Sequence, residues 1–160
     1  MSHKRNSTKQ IYLQSLATQD NFLYETVDNL SFNFKFFCSG NEYGESFEDW
    51  QRCQILAEFN TKLKDFSGKK IHDLILDGIL EIYPHYPSDS NFDMPKSLKF
   101  SDIKWARLRL TGRKRVIGFF LNDNPSRNNT YELEAVKKGK NIFYIVFLDK
   151  NHSFAPCKKK

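Results

Sequence analysis

The spacing of hydrophobic positions changes period along this chain. Ser31-Phe32-Asn33-Phe34-Lys35-Phe36 alternates strictly and predicts a strand with a phenylalanine face. From Phe47 the period lengthens. Phe47, Trp50, Cys53, Leu56, Ala57, Phe59, Leu63 and Phe66 fall near a 3.6-residue repeat and predict one amphipathic helix. Ser46 caps it, Asp49 three residues on makes an imperfect capping box, and Ser67-Gly68 ends it. Ile71, Leu74, Ile75, Gly78, Ile79 and Ile82 predict a second helix over about residues 70–83, stopped by Pro84 and Pro87. Three strands follow, at about 103–110, 113–121 and 141–148, the first two joined by a Thr111-Gly112 turn. The expected fold is α+β: two helices packed on one face of a mostly antiparallel sheet of four to five strands. Residues 1–10 read as a disordered polar tail, 11–45 as an N-terminal extension with one strand, 46–156 as the core and 157–160 as a basic tail. The connection 122–140 is long and polar, either a loop or a strand extension near 131–136.

The same strands carry the charge. Residues 1–95 hold nine Lys/Arg against fourteen Asp/Glu, a net of −5, and residues 96–160 hold sixteen against five, a net of +11. Eight cations lie between Lys96 and Arg115 against the single Asp102. Alternation on the first hairpin strand sends Trp105, Arg107 and Arg109 to one face and Ala106, Leu108 and Leu110 to the other. A sheet face bearing Arg107, Arg109 and some of Arg113, Lys114 and Arg115 must meet solvent or an anion, and the obvious large anion is nucleic acid. Trp105 on that face is positioned to stack a base. The competing reading is a solvated basic surface that discourages edge pairing, or one covered by an acidic protein.

Catalytic candidates are few. Metal-free RNA cleavage needs a base for the 2′-hydroxyl, cations for the developing charge and an acid for the leaving oxygen. His152, just past the last strand, is the candidate acid, although a histidine in an Asp-Lys-Asn-His turn is more often a loop residue. Arg115, with Arg107 and Arg109, is a candidate phosphate holder. The base is open: Lys104 or Lys114 with a depressed pKa, with Tyr144 a weaker choice. His85, in a Pro-bounded turn, and Cys53, on an apolar helix face, read as structural. Cys38, Cys53 and Cys157 form no CxxC pair and predict a reduced, cytoplasmic setting with no zinc site. No nucleotide loop, dinucleotide fingerprint, HExxH or GxSxG is present, so no cofactor or metal is expected. No apolar run approaches the ~18 residues of a membrane span, and the N-terminus lacks the apolar stretch of a secretory signal.

The segment Trp105-Ala106-Arg107-Leu108-Arg109-Leu110-Thr111-Gly112-Arg113-Lys114-Arg115-Val116 and the run from Phe143 to His152 resemble the RelE/ParE toxin superfamily, within it the ribosome-dependent mRNA interferases of the RelE type. The end motif, Phe143-Tyr144-Ile145-Val146-Phe147-Leu148-Asp149-Lys150-Asn151-His152 with Pro156 beyond, is also similar to small phage and mobile-element proteins. The resemblance spans about residues 46–156. It implies a metal-independent endoribonuclease with phosphate-stabilising Arg107, Arg113 and Arg115 and a general acid at His152. It also implies RNA or the ribosome as partner, with an antitoxin. Phe154 stands where several such toxins carry Tyr, residues 1–45 are an extension that the compact toxins lack, and the 122–140 connection is long. The other expectation, from a different class, is a non-catalytic binding protein whose basic face docks on nucleic acid or on an acidic host protein.

Overall fold

The chain follows the order β1 (Ser31–Asn33), α1 (Phe47–Arg52), α2 (Leu56–Ser67), α3 (Ile71–Leu76), β2 (Leu80–Tyr83), β3 (Ile103–Arg109), β4 (Arg115–Leu121) and β5 (Ile142–Asp149). This computed structural model describes residues 29–40, 44–98, 103–121 and 141–156. The readings made for residues 1–10, 11–28, 122–140 and 157–160 lie outside the described residues. Among the described residues the fold is α+β, with three helices and a five-stranded mixed sheet in the order β1-β5-β4-β3-β2. The β2–β3, β3–β4 and β4–β5 pairs are antiparallel, and β1 joins β5 in parallel.

The single helix expected over 46–66 is two. The capping box at Ser46 and Asp49 is complete and starts α1. Gln54 then takes a left-handed φ of 58°, its N–H donates to the Gln51 carbonyl at 3.0 Å, and Ile55 N–H reaches back to Trp50 at 2.8 Å. This is the six-to-one, five-to-two closure that ends helices, built here on Gln instead of the usual Gly. The second expected helix stops early by the same device. Gly78, at φ +65°, donates to Ile75 at 3.0 Å while Ile79 N–H donates to Leu74 at 2.9 Å, and Leu80–Tyr83 continues as an edge strand. The hairpin turn is centred one residue later than expected. Lys114 N–H closes on the Thr111 carbonyl at 3.1 Å around Gly112 and Arg113, with Gly112 at φ +56°.

Both faces of the sheet are covered. Trp50, Phe59, Leu63, Phe66 and Leu74 of the helices pack on Ala106, Leu108, Val116, Phe120, Phe143 and Ile145. On the other face Leu98 and Phe154, with Tyr86, Phe92 and Met94 at their edge, cover Trp105, Ile117, Phe119 and Phe147. The expectation that this second face lies bare is corrected: only its hairpin end does.

The alternation expected of β5 breaks at Val146. Gly118 pairs with Ile145 but Ile117 pairs with Phe147, so Val146 is an extra residue. Its carbonyl is taken by Cys38 N–H at 2.8 Å. After this bulge the faces exchange: Leu148 joins the helix-side core, and Asp149 sits opposite Arg115. Gly118 beside it is obligatory on space alone. A Cβ there would lie 2.2 Å from the Tyr144 carbonyl oxygen and 2.7 Å from the Phe143 ring. Gly118→Ala is expected to cost about 3 kcal/mol, read as a lower midpoint in chemical denaturation. A midpoint equal to wild type would contradict the β4–β5 spacing.

Candidate nucleic-acid interface

Register brings cations together at the hairpin end of the loop-covered face. Glu81 pairs with Arg107, Arg109 with Arg115, and Arg115 with Asp149. Arg107 is half-buried. Its Nη1 donates to His152 Nε2, its Nη2 donates to Glu81 Oε2 at 2.5 Å, and its guanidinium lies 5.8 Å from the Tyr83 ring centroid. Arg115 is only 9% exposed. Its Nη1 donates to the carbonyls of Gly112 and Lys114, both at 2.9 Å, while its buried Nε–H has no acceptor among the described residues. Burial lowers the Arg115 pKa, the charges of Arg107 and Arg109 lower it further, and Asp149 opposes them. A guanidinium stays protonated regardless. The shift therefore reports a positive charge that its surroundings under-compensate.

His152 is held by a turn built on Asp149. This fully buried carboxylate accepts backbone N–H bonds from Asn151 (3.2 Å), Ser153 (2.8 and 2.9 Å) and Phe154 (2.9 Å). That network holds His152 at φ 62°, a left-handed conformation in which a non-glycine residue needs support from its neighbours. An Arg can only donate, so this bond requires Nε2 as its acceptor, which is the neutral tautomer with its proton on Nδ1. Burial lowers its pKa, and the charges of Arg107, Arg115 and Arg113 lower it further against the pull of Asp149. In the neutral state Nε2 can take up a proton, and the lowered pKa makes the protonated imidazole a stronger acid than a free one.

The structure thus gathers Arg107, Arg109, Arg115 and His152, with the exposed Arg113 at the turn. It separates the rest. Trp105 is 3% exposed, stacked parallel to Phe147 and edge-on to Tyr86, so it is a core residue and no base can reach its face. Lys104 sits opposite Phe120 on the helix side of the sheet, away from His152. Lys114 also turns to the helix side, where its Nζ is bound by Glu58, which accepts from Thr111 as well. Tyr144 stacks on Phe119 at 5.1 Å towards the β1 edge. His85 is exposed in its turn, and Cys53 is exposed rather than core, 3.7 Å from Lys150 Nζ. Two residues went unselected in the sequence: Glu81 and Asp149. The signal for Asp149 was local, since an Asp followed by Asn and Ser is a turn that closes on its own backbone. Among the described residues no group of three or more His, Cys, Asp or Glu could hold a metal, and no helix is long and apolar enough to cross a membrane.

No protein-family model, curated protein or solved structure matches this chain.

The His152 environment has a pH signature. The folded chain takes up the imidazole proton at a lower pH than the unfolded chain does. Its contribution to stability is therefore complete above the ordinary imidazole pKa and is lost as pH falls through the window down to the folded value. Proton NMR titration is expected to place His152 below a free imidazole, and Arg107→Gln to move it upward. His152→Gln is expected to flatten unfolding free energy across that window. A His152 pKa at or above the ordinary value would contradict the Arg107 bond.

Proposed function

We propose that this chain is a RelE-like endoribonuclease acting on RNA without a metal, in the manner of a toxin that targets translated message, and that Arg107, Arg115 and His152 are its working residues. The observation that supports the reading most is the buried Arg115, whose Nε–H lacks an acceptor among the described residues, beside a neutral histidine bound by a second guanidinium. A phosphate beside this cluster supplies the missing negative charge, and planar guanidinium groups match its oxygens. Once the phosphate has drawn Arg107 off Glu81 and His152, Nε2 is the base that draws the proton from the 2′-hydroxyl as its oxygen attacks phosphorus; the bond from phosphorus to the 5′-oxygen breaks, and that oxygen takes its proton from water. Arg115 and Arg107 stabilise the charge that develops on the phosphorus oxygens. Arg109 and Arg113, both exposed, extend the contact to neighbouring phosphates. The helices on one face, the basic hairpin and the final strand ending at His152 are consistent with a RelE-like core, the free Cys38 and Cys53 with a cytoplasmic setting, and the exposed cations with an antitoxin or other acidic partner.

One observation favours a second reading, a non-catalytic protein that docks on nucleic acid. Within the cluster His152 is the one described imidazole, whereas metal-free cleavage uses both an acid and a base.

Induced expression of wild type and His152→Ala in bacteria, with labelled-amino-acid incorporation followed alongside cleavage of a labelled message by the purified proteins, separates the two. The enzyme reading expects translation arrest by wild type only, with cleavage down about 10²–10⁴-fold in His152→Ala while RNA affinity is kept. Cleavage should rise with pH to a plateau reached before neutrality, since the neutral imidazole is the active form. Absence of cleavage by folded wild type, with RNA affinity falling stepwise on removal of Arg107 or Arg109 and a salt slope smaller by about one per phosphate contact, would establish the binding protein instead.

A further inference from the structure

The cationic face carries two carboxylates, and they are held very differently. Asp149 is fully buried and its oxygens are engaged by the backbone N–H groups of Asn151, Ser153 and Phe154. It is fixed and is not free to move off or on. Glu81 stands on the edge strand β2, directly across from Arg107, with half of its side chain exposed (51%) against 20% for Arg107. Its Oε2 takes Arg107 Nη2 at 2.5 Å. With Nη1 given to His152, both terminal nitrogens of Arg107 are occupied in the free protein. An incoming anion that takes the Glu81-facing edge of the guanidinium competes with that carboxylate, which is the partner that water can resolvate.

We infer that the Glu81 carboxylate is an internal stand-in for the ligand's anion: it occupies Arg107 where a phosphate oxygen binds, and so sets how strong an anion must be to enter the site. This inference rests on the reading of the cluster as a phosphate site. The geometry a carboxylate oxygen offers to one guanidinium nitrogen is the one a phosphate oxygen offers, but a phosphate strand can also meet the exposed Arg109 and Arg113, which Glu81 does not touch. A monovalent anion gains little by exchanging with Glu81. A polyanionic strand that also meets Arg109 and Arg113 gains contacts that the carboxylate never made. Glu81 is thereby a specificity-determining residue, acting against weak anions and not for the correct one.

The consequence has an unusual sign. Breaking an ion pair inside a binding cluster ordinarily disorders it and weakens binding. Here Glu81→Gln is expected to tighten binding of a labelled single-stranded RNA oligonucleotide by about fivefold at low salt, the scale of one part-exposed ion pair. Glu81→Ala should repeat the gain if the amide disturbs β2. Asp73→Asn, which removes the same charge from an exposed position on α3, should give little. In an Arg107→Gln background the gain from Glu81→Gln should vanish, since the competition is for that guanidinium. The inference is overturned, with the phosphate-site reading left standing, by any of three results. One is wild type that binds RNA while both Glu81 variants bind equally or more weakly. The others are an Asp73→Asn gain as large, and a gain that survives without Arg107. Absence of RNA binding by both wild type and Glu81→Gln at low salt overturns the two together.

Discussion

One carboxylate and one inserted residue determine what the rest of this structure can present. Asp149 is buried without exposure, and a buried carboxylate is tolerable only when its oxygens are satisfied. Here they are satisfied by backbone, so the chain after β5 is obliged to coil around it. Asp149 meets this face only because Val146 is extra. Without that bulge Leu148 would stand across from Arg115, and the carboxylate would point into the helix-side core. The bulge therefore decides the sign of the electrostatic environment of Arg115, and the turn it aims decides where His152 goes.

Around that anchor the cationic face is assembled with less anion than it needs. Arg107, Arg109 and Arg115 are brought close by β-sheet register, which fixes neighbours regardless of their charge. Like charges opposite one another, as at Arg109 and Arg115, are unfavourable in an isolated sheet. Their placement on one sheet face, with aromatic rings packed beside them, is what supports our proposal of a site completed by something anionic from outside. The neutral His152 fits the same picture, since surrounding positive charge suppresses its own.

Much of this was legible in the chain. The β3–β4 hairpin, the alternation that puts Arg107 and Arg109 on one face, the helix start at Ser46 and the position of His152 beyond the last strand all follow from period and capping. What failed did so for identifiable reasons. Gln54 ends α1 in a conformation that sequence associates with glycine, so the periodic run read as continuous. Gly78 was read as a helix interior because the apolar spacing of Ile75, Ile79 and Ile82 continues across it into a strand. Trp105 was placed on an exposed face because alternation reports which side a residue is on, and not what lies over that side. The cover comes from residues 86–98 and from Phe154, whose loops have no period to read. Lys104 was offered as a base although its alternation with Trp105 and Arg107 sets it on the opposite face, and the face of Lys114 stayed open until the turn was located at Gly112-Arg113 rather than Thr111-Gly112.

The pairing of β1 with β5 bears on how the molecule comes into being. Ser31–Asn33 lies against Ile142–Tyr144, more than a hundred residues later, and β5 is also the strand that closes β4. While the chain is being synthesised, the helices and the β3–β4 hairpin can form from local contacts, yet β4 keeps a bare edge until the C-terminal strand leaves the ribosome. Until β5 and the turn after it have been made, Arg107 has no histidine to bind and Arg115 no carboxylate across from it. The cationic hairpin exists before the residues that give it direction. The last ten or so residues described thus act as the step in time at which a generic basic surface becomes a particular site.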